Sequence, residues 1–134
     1  MPNHVHALIS FINTTQSINT IIGNGKRFMA YEIINRLKKS NETTLLEQLA
    51  GSVKATRKEN KKLYEVWEIS SDWKDCRSNE FVWQKLNYMH NNPCTGKWQL
   101  AGNAIEYIHS SVRFYLTGVQ GICPVTNFIE MEEV

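Results

Sequence analysis

Two histidines one residue apart, His4 and His6, lie near the start of the chain in the stretch MPNHVHALIS. Neighbouring side chains of a β-strand point to opposite faces, so these two imidazoles would share one face, about 7 Å apart along the strand. Two imidazoles on one face supply half of a divalent-metal site. The spacing also fits an edge strand that carries two histidines and binds no ligand, so both interpretations stay open at this point.

A second set of polar side chains lies on a predicted helix, in the stretch QKLNYMHNNP. Lys85, Tyr88 and Asn92 follow a spacing of i, i+3 and i+7, so they line one stripe of that helix. The neighbouring stripe is apolar and forms the predicted buried face: Val82, Leu86 and Met89. An asparagine before a helix-ending proline is ordinarily a capping residue, and a tyrosine at a helix boundary ordinarily packs against its neighbours.

Two segments with apolar alternation predict the strands that would position the histidines. Residues 1–11 carry Val5, Ala7 and Ile9 on the side opposite the histidines, which is the side expected to face a core. The stretch LYEVWEI, residues 63–69, predicts a second strand. An antiparallel sheet is therefore expected at the centre of the protein.

Two helices follow from apolar residues that recur at helical spacing. The first covers about residues 17–39 and is basic, and its Lys26 and Arg27 are candidates for contacts with a phosphate backbone. The second covers about residues 79–92, with Ser78 as its predicted N-cap. The second helix carries the tyrosine stripe.

Composition places the chain among ordinary globular proteins. It has 134 residues, 42% hydrophobic and 21% charged, which predicts a single domain over residues 1–134. The net charge of +2 is too small to indicate nucleic acid by itself, although basic residues cluster within 54–62. The three cysteines have no C-x-x-C spacing, which argues against a disulfide framework and fits a reducing cytoplasm. No apolar run reaches membrane-spanning length and no signal peptide is evident.

MPNHVHALI followed by QKLNYMHNNP resembles the single-tyrosine HUH transposases, and most closely their REP-associated branch in bacteria. In that family a strand carries His-hydrophobic-His, and the nucleophilic tyrosine lies on a later helix that runs into Asn-Pro. The segment HSSVRFYLTG is similar to the family's C-terminal W/Y-S-S-x-x-x-Y segment. The resemblance covers residue 1 to about residue 118.

The resemblance implies a role for each matching residue. His4 and His6 match the histidines that bind the divalent ion, Mg²⁺ or Mn²⁺, and Asn92 matches the polar position that completes the metal site. Tyr88 matches the tyrosine that attacks the scissile phosphate and forms a 5′-phosphotyrosine. Lys85, one turn before the tyrosine, is our own addition as a residue that contacts a phosphate or lowers the pKa of the phenol.

The family match implies an α+β fold, an antiparallel sheet with helices packed on it in a ferredoxin-like sandwich. The expected activity is to nick and rejoin hairpin-flanked single-stranded DNA, in the bacterial cytoplasm at the nucleoid, and a homodimer is one expected assembly. In relatives the histidine strand is internal, whereas this chain begins on it, so the first strand or strands are expected to be missing. Either the start is misassigned or the gene is truncated.

Two other functions stay open on the sequence. One is a catalytically inactive, truncated DNA-binding remnant of such a transposase. The other is a metal-dependent hydrolase that uses His4 and His6 and forms no covalent adduct with DNA.

Overall fold

The computed structural model describes residues 1–11, 14–54 and 62–131. The chain divides into two compact units, one formed by Met1–Asn13 with Lys74–Val134 and the other by Thr14–Trp73. The α-helices of the described residues are, in chain order, α1 (Ile18–Lys39), α2 (Thr43–Gly51), α3 (Asn79–Asn91) and α4 (Val112–Thr117). No described helix has the length and apolar character needed to cross a membrane. The single domain over residues 1–134 stays a prediction.

The predicted sheet is absent from the described residues, so the α+β class with an antiparallel, ferredoxin-like sheet is wrong. Residues 1–11 and the described stretch 62–69 contain no strand. Alternation describes which side chains a strand would bury, but a strand also needs a neighbour that completes its hydrogen-bond ladder. Neither stretch pairs with such a neighbour among the described residues.

The predicted core face of the N-terminal segment is also wrong. Val5 is 62% exposed and Ile9 is 58% exposed, and Ala7 between them is exposed as well. Leu8, from the opposite face, packs against the buried cluster of its unit. The segment therefore makes its contacts with the rest of the unit through His4, His6 and Leu8.

The unit of Met1–Asn13 and Lys74–Val134 is built around α3. The helix begins at Ser78, whose hydroxyl accepts a hydrogen bond from the Phe81 backbone N–H at 3.3 Å, as the sequence predicts. Val82 and Leu86 of this helix form the core together with Phe128. Tyr115, on α4, packs on the cluster and its hydroxyl accepts a hydrogen bond from the Phe128 N–H at 3.3 Å.

The unit of Thr14–Trp73 is built on α1, which agrees closely with the predicted basic helix. Ser17 caps it, accepting a hydrogen bond from the Thr20 N–H at 3.2 Å. The helix packs against α2, with Ile34 and Val53 buried. It runs unbroken through Gly23 and Gly25, and nothing lies within 4 Å of the position that a Cβ would take at either glycine.

Candidate active site

The end of α3 sets the positions of Tyr88 and Asn92. The Asn92 N–H donates to the Tyr88 carbonyl, so the two residues are one helical turn apart on the same stripe. Pro93 then turns the chain into a 3₁₀ helix, where the Asn92 carbonyl accepts from the Thr95 N–H at 3.3 Å. The backbone of Asn92 thus ends the helix, while its carboxamide remains available for another contact.

The N-terminal segment brings both histidines to that carboxamide. The Asn92 Nδ2 lies 3.0 Å from Nε2 of His6 and 3.4 Å from Nε2 of His4. The two imidazole rings are themselves edge to face, with centroids 4.8 Å apart. The structure therefore brings together the three residues that the sequence predicts as metal ligands, although 88 and 86 positions separate Asn92 from His4 and His6.

Tyr88, the predicted nucleophile, lies beside this group. Its ring centroid is 5.7 Å from that of His6, and the two planes meet at 83°. The tyrosine is 59% exposed, so a macromolecular substrate can reach it from solvent. His6 thus lies between the nucleophile and the other two predicted ligands, in contact with both.

Hydrogen-bond contacts connect both histidines to neighbouring amides. The His4 Nδ1 lies 2.8 Å from Oδ1 of Asn3, and a neutral ring that donates from Nδ1 to this oxygen keeps a lone pair on Nε2. The Asn92 Nδ2 lies within hydrogen-bond distance of Nε2 of both histidines, and it donates to an Nε2 that carries a lone pair. A ring with its lone pair on Nε2 is in the form that binds a metal.

Electrostatics favour the same protonation state for His6. Its pKa lies below the ordinary 6.5, first because burial disfavours the charged ring, and then because the charges of His4 and the N-terminal amine repel a proton. A neutral imidazole is the metal-binding form, so protons compete less well for His6 than for a histidine with the ordinary pKa.

The donor set fits a divalent ion that takes few protein ligands. A half-turn of the Asn92 carboxamide exchanges its nitrogen and oxygen, which would present an oxygen beside the two imidazole nitrogens. Across the described ranges, no group of three or more His, Cys, Asp or Glu side chains is arranged to hold a metal. Two imidazoles and one amide leave several coordination positions open for water or phosphate oxygens, as Mg²⁺ requires.

A cavity of about 400 Å³ adjoins the histidine pair, and sequence reasoning did not find its polar lining. His90 and Ser111 both line it, and the His90 Nε2 lies 2.9 Å from the Ser111 hydroxyl oxygen. Burial lowers the pKa of His90. The only sequence signal was its position two residues after Tyr88, on the side of α3 that faces the core.

Each of the predicted DNA-binding residues makes contacts of its own. The Lys85 ammonium lies 4.8 Å from the centroid of the Phe81 ring, one turn further toward the start of α3. Lys26 and Arg27 belong to the other unit. The Lys26 ammonium donates to two backbone carbonyls, and the Arg27 guanidinium lies over Phe28 at 5.1 Å. Residues 55–61, which hold most of the predicted basic cluster, lie outside the described residues.

Comparisons with protein-family models, with curated proteins and with solved structures found no match to this chain. The resemblance to HUH transposases therefore depends on the sequence motifs alone.

Proposed function

We propose that this chain is a metal-dependent tyrosine transposase that nicks and rejoins single-stranded DNA, related to the single-tyrosine HUH enzymes of bacteria. One observation carries the proposal: the Asn92 carboxamide lies 3.0 and 3.4 Å from Nε2 of His6 and His4, and the Tyr88 ring lies against His6. A nucleophile beside an open divalent-ion site is the arrangement that phosphodiester cleavage by a tyrosine needs.

The reaction is a transesterification at phosphorus. The Tyr88 oxygen forms a bond to the scissile phosphorus as its proton leaves, and the bond from phosphorus to the 3′ oxygen breaks. The products are a 5′-phosphotyrosine and a free 3′-hydroxyl, which takes up a proton. Since one phosphodiester replaces another, attack of a 3′-hydroxyl on the phosphotyrosine rejoins DNA without an external energy source.

Mg²⁺ or Mn²⁺, held by His4, His6 and Asn92, would polarise the phosphate and stabilise the charge of the transition state. The chain's own residues do the rest of the positioning. The α3 stripe aims Tyr88 at the same point as Asn92, and the packing of Leu8 on the core holds the histidine segment against that stripe.

The tyrosine and the histidines come from one chain, which supports cleavage in cis. A homodimer is then not needed to complete the site, although it could bring two DNA ends together. Hairpin-flanked single-stranded DNA is the proposed substrate, and the bacterial cytoplasm at the nucleoid is the proposed location.

The test is to trap the covalent intermediate. Incubation with a hairpin-bearing single strand and Mn²⁺ should give a protein–DNA adduct that peptide mapping assigns to Tyr88. Tyr88→Phe should abolish the adduct but keep DNA affinity within a few-fold, because one hydroxyl contributes only about 1 kcal/mol to ground-state binding. His4→Ala should also abolish it, since the metal is lost rather than the nucleophile.

Tyr107→Phe is the matched control, because this tyrosine belongs to the same unit but not to the site. It should leave the adduct unchanged. An adduct that persists in Tyr88→Phe, or that maps to another tyrosine, would contradict the proposal. Cleavage with no adduct would instead indicate a metal-dependent hydrolase.

A DNA-binding protein that does not cleave is the second candidate. Asn92, the third predicted ligand, is a neutral amide, and an amide binds a divalent ion less strongly than a carboxylate does. A weak metal site favours binding of DNA without cleavage. DNA binding with no adduct and no cleavage at millimolar Mn²⁺ would select this candidate.

A further inference from the structure

A groove of about 970 Å³ lies in the unit of Thr14–Trp73, between α1 and the extended stretch of residues 62–69. Three aromatic side chains line it: Tyr31, Tyr64 and Trp67. Tyr31 is 60% exposed and the other two are half-buried. The groove is thus a preformed surface on which flat rings are open to solvent.

Hydrogen bonds hold the two walls of the groove together. The Lys26 ammonium donates to the carbonyls of Glu68 at 2.8 Å and Ser70 at 3.0 Å. In return, the Trp67 indole N–H donates to the Lys26 carbonyl at 2.9 Å. The Glu65 N–H donates to the Leu49 carbonyl at 2.9 Å, which also ties the extended stretch to α2. These bonds fix the position of the indole ring, so little ordering would be required when a ligand stacks on it.

The charge on the α1 wall is positive. Three of the five basic residues of the helix line the groove: Lys26, Arg27 and Lys38. Arg36, Lys39 and the one acidic residue, Glu32, lie outside the groove lining. The Glu32 carboxylate is bonded to Arg36 at 2.6 Å. Of the two acids on the opposite wall, Glu65 is bonded to Lys62 at 2.5 Å and Glu68 is exposed.

Cations and rings also lie side by side in the groove. The Lys38 ammonium is 5.5 Å from the centroid of the Tyr64 ring, and the side chain of Arg27 lines the same cavity. Aromatic faces flanked by flexible cations are the combination that binds a flexible polyanion with π-faces.

We propose that this groove binds single-stranded DNA independently of base sequence, with bases stacked on Tyr31 and Trp67 and phosphates along the cations of α1. The choice of DNA rests on the proposed function, whereas the stacking and the charge are properties of the groove itself. Every base has a π-face, so stacking discriminates weakly among sequences, and release of counterions makes binding weaken as salt rises.

The experiment measures fluorescence anisotropy of a labelled oligothymidylate of about 12 nucleotides against the full chain, at several salt concentrations. Tyr31→Ala should weaken binding about tenfold, since removal of a stacking ring has that order of effect. Trp73→Ala is the control, because Trp73 is a 49% exposed aromatic residue of the same unit that does not line the groove.

A second pair of variants tests the charge. Lys38→Gln should reduce the slope of log affinity against log salt concentration by about 0.7, the value for one phosphate contact on a single strand. Lys39→Gln, at the next position of α1 and outside the groove lining, should change the slope less. Circular dichroism of each variant shows whether the helices are retained.

Equal effects within both pairs would overturn the proposal, as would the absence of oligothymidylate binding at low salt. Displacement by an acidic aromatic peptide, with no binding of the oligonucleotide, would show that the groove takes a protein segment instead. Oligothymidylate binding and formation of the covalent adduct are measured separately. Groove binding without an adduct would therefore reject the proposed chemistry alone, and an adduct without groove binding would reject the groove alone.

Discussion

At the scale of single residues, the least expected contributor to the site is Asn3. Its side-chain oxygen lies 2.8 Å from Nδ1 of His4, where it can accept a proton from Nδ1 and favour the tautomer whose lone pair is on Nε2. A hydrogen-bond acceptor on the second ring nitrogen of a metal-binding histidine raises the basicity of the first nitrogen and orients the ring toward the metal. Asn3 is therefore a positioning residue in the proposed metal site.

Asn3→Ala should weaken Mn²⁺ binding by about tenfold, because loss of such a partner typically costs that much or more. Isothermal titration calorimetry with Mn²⁺ measures the effect. Asn3→Asp is the matched variant, since a carboxylate accepts the same hydrogen bond and should keep the affinity. If both variants bind Mn²⁺ as tightly as the wild type, the hydrogen bond has no part in metal binding.

The residues of the candidate site could be predicted from the sequence where they lie within a short motif. The two sequence motifs predict His4, His6, Tyr88 and Asn92 as site residues, and the four lie together in the structure. The contribution of His90 could not be predicted, because its partner Ser111 is 21 residues away and the cavity they line exists only in the folded chain.

At the scale of elements, the helices could be predicted and the sheet could not. The bounds of α1 and α3 follow from caps and apolar spacing that lie within the element itself, at Ser17 and Ser78. A strand depends instead on a partner elsewhere in the chain. Residues 1–11 show the alternation of a strand without pairing to any described residue, so the same local pattern led to a wrong fold class.

The glycines of α1 give a prediction at this scale. Gly25 lies inside the helix and is exposed, and nothing is within 4 Å of the position of an added Cβ. Gly25→Ala should therefore stabilise the protein by about 1 kcal/mol, because alanine loses less backbone entropy in a helix. Urea unfolding followed by circular dichroism measures this. Asn24→Ala, at the preceding position of the helix, is a control that should give a smaller gain. A loss of stability in Gly25→Ala would show that the glycine makes a close contact.

At the scale of the whole molecule, the free energy of unfolding depends on a small number of buried side chains. The apolar residues that are buried among those described are Ile34, Val53, Val82, Leu86, Val112 and Phe128. His90 is buried as well, at 7% exposure. Because native proteins are only marginally stable, protonation of a buried histidine is expected to lower the free energy of unfolding measurably.

We expect acid to destabilise the metal-free protein. Burial lowers the pKa of His90 below the ordinary 6.5, and burial with neighbouring charge does the same for His6. The unfolded chain thus binds more protons than the native one between the lowered pKa values and 6.5, so stability is present above that range and is lost as pH falls through it. Urea unfolding at several pH values, followed by tryptophan fluorescence, measures this loss of stability. Trp83 reports on the core because its ring packs against those of Tyr115 and Phe128.

His90→Gln should flatten the pH dependence, because the glutamine does not titrate. His109→Gln, at an exposed position of the same unit, should leave the pH dependence as it is. Stability that rises on acidification, or an equal flattening in both variants, would contradict the assignment to His90.

The N-terminal segment has a consequence for how its sequence can vary. Positions 4, 6 and 8 make its contacts with the unit, through the two histidines and Leu8, whereas positions 5, 7 and 9 are exposed. From position 4 to position 9, selection would therefore constrain every second residue and leave the others to drift. An alignment of relatives would then show the period of a β-strand in a segment that belongs to no sheet among the described residues. The periodicity would record a one-sided contact with the site.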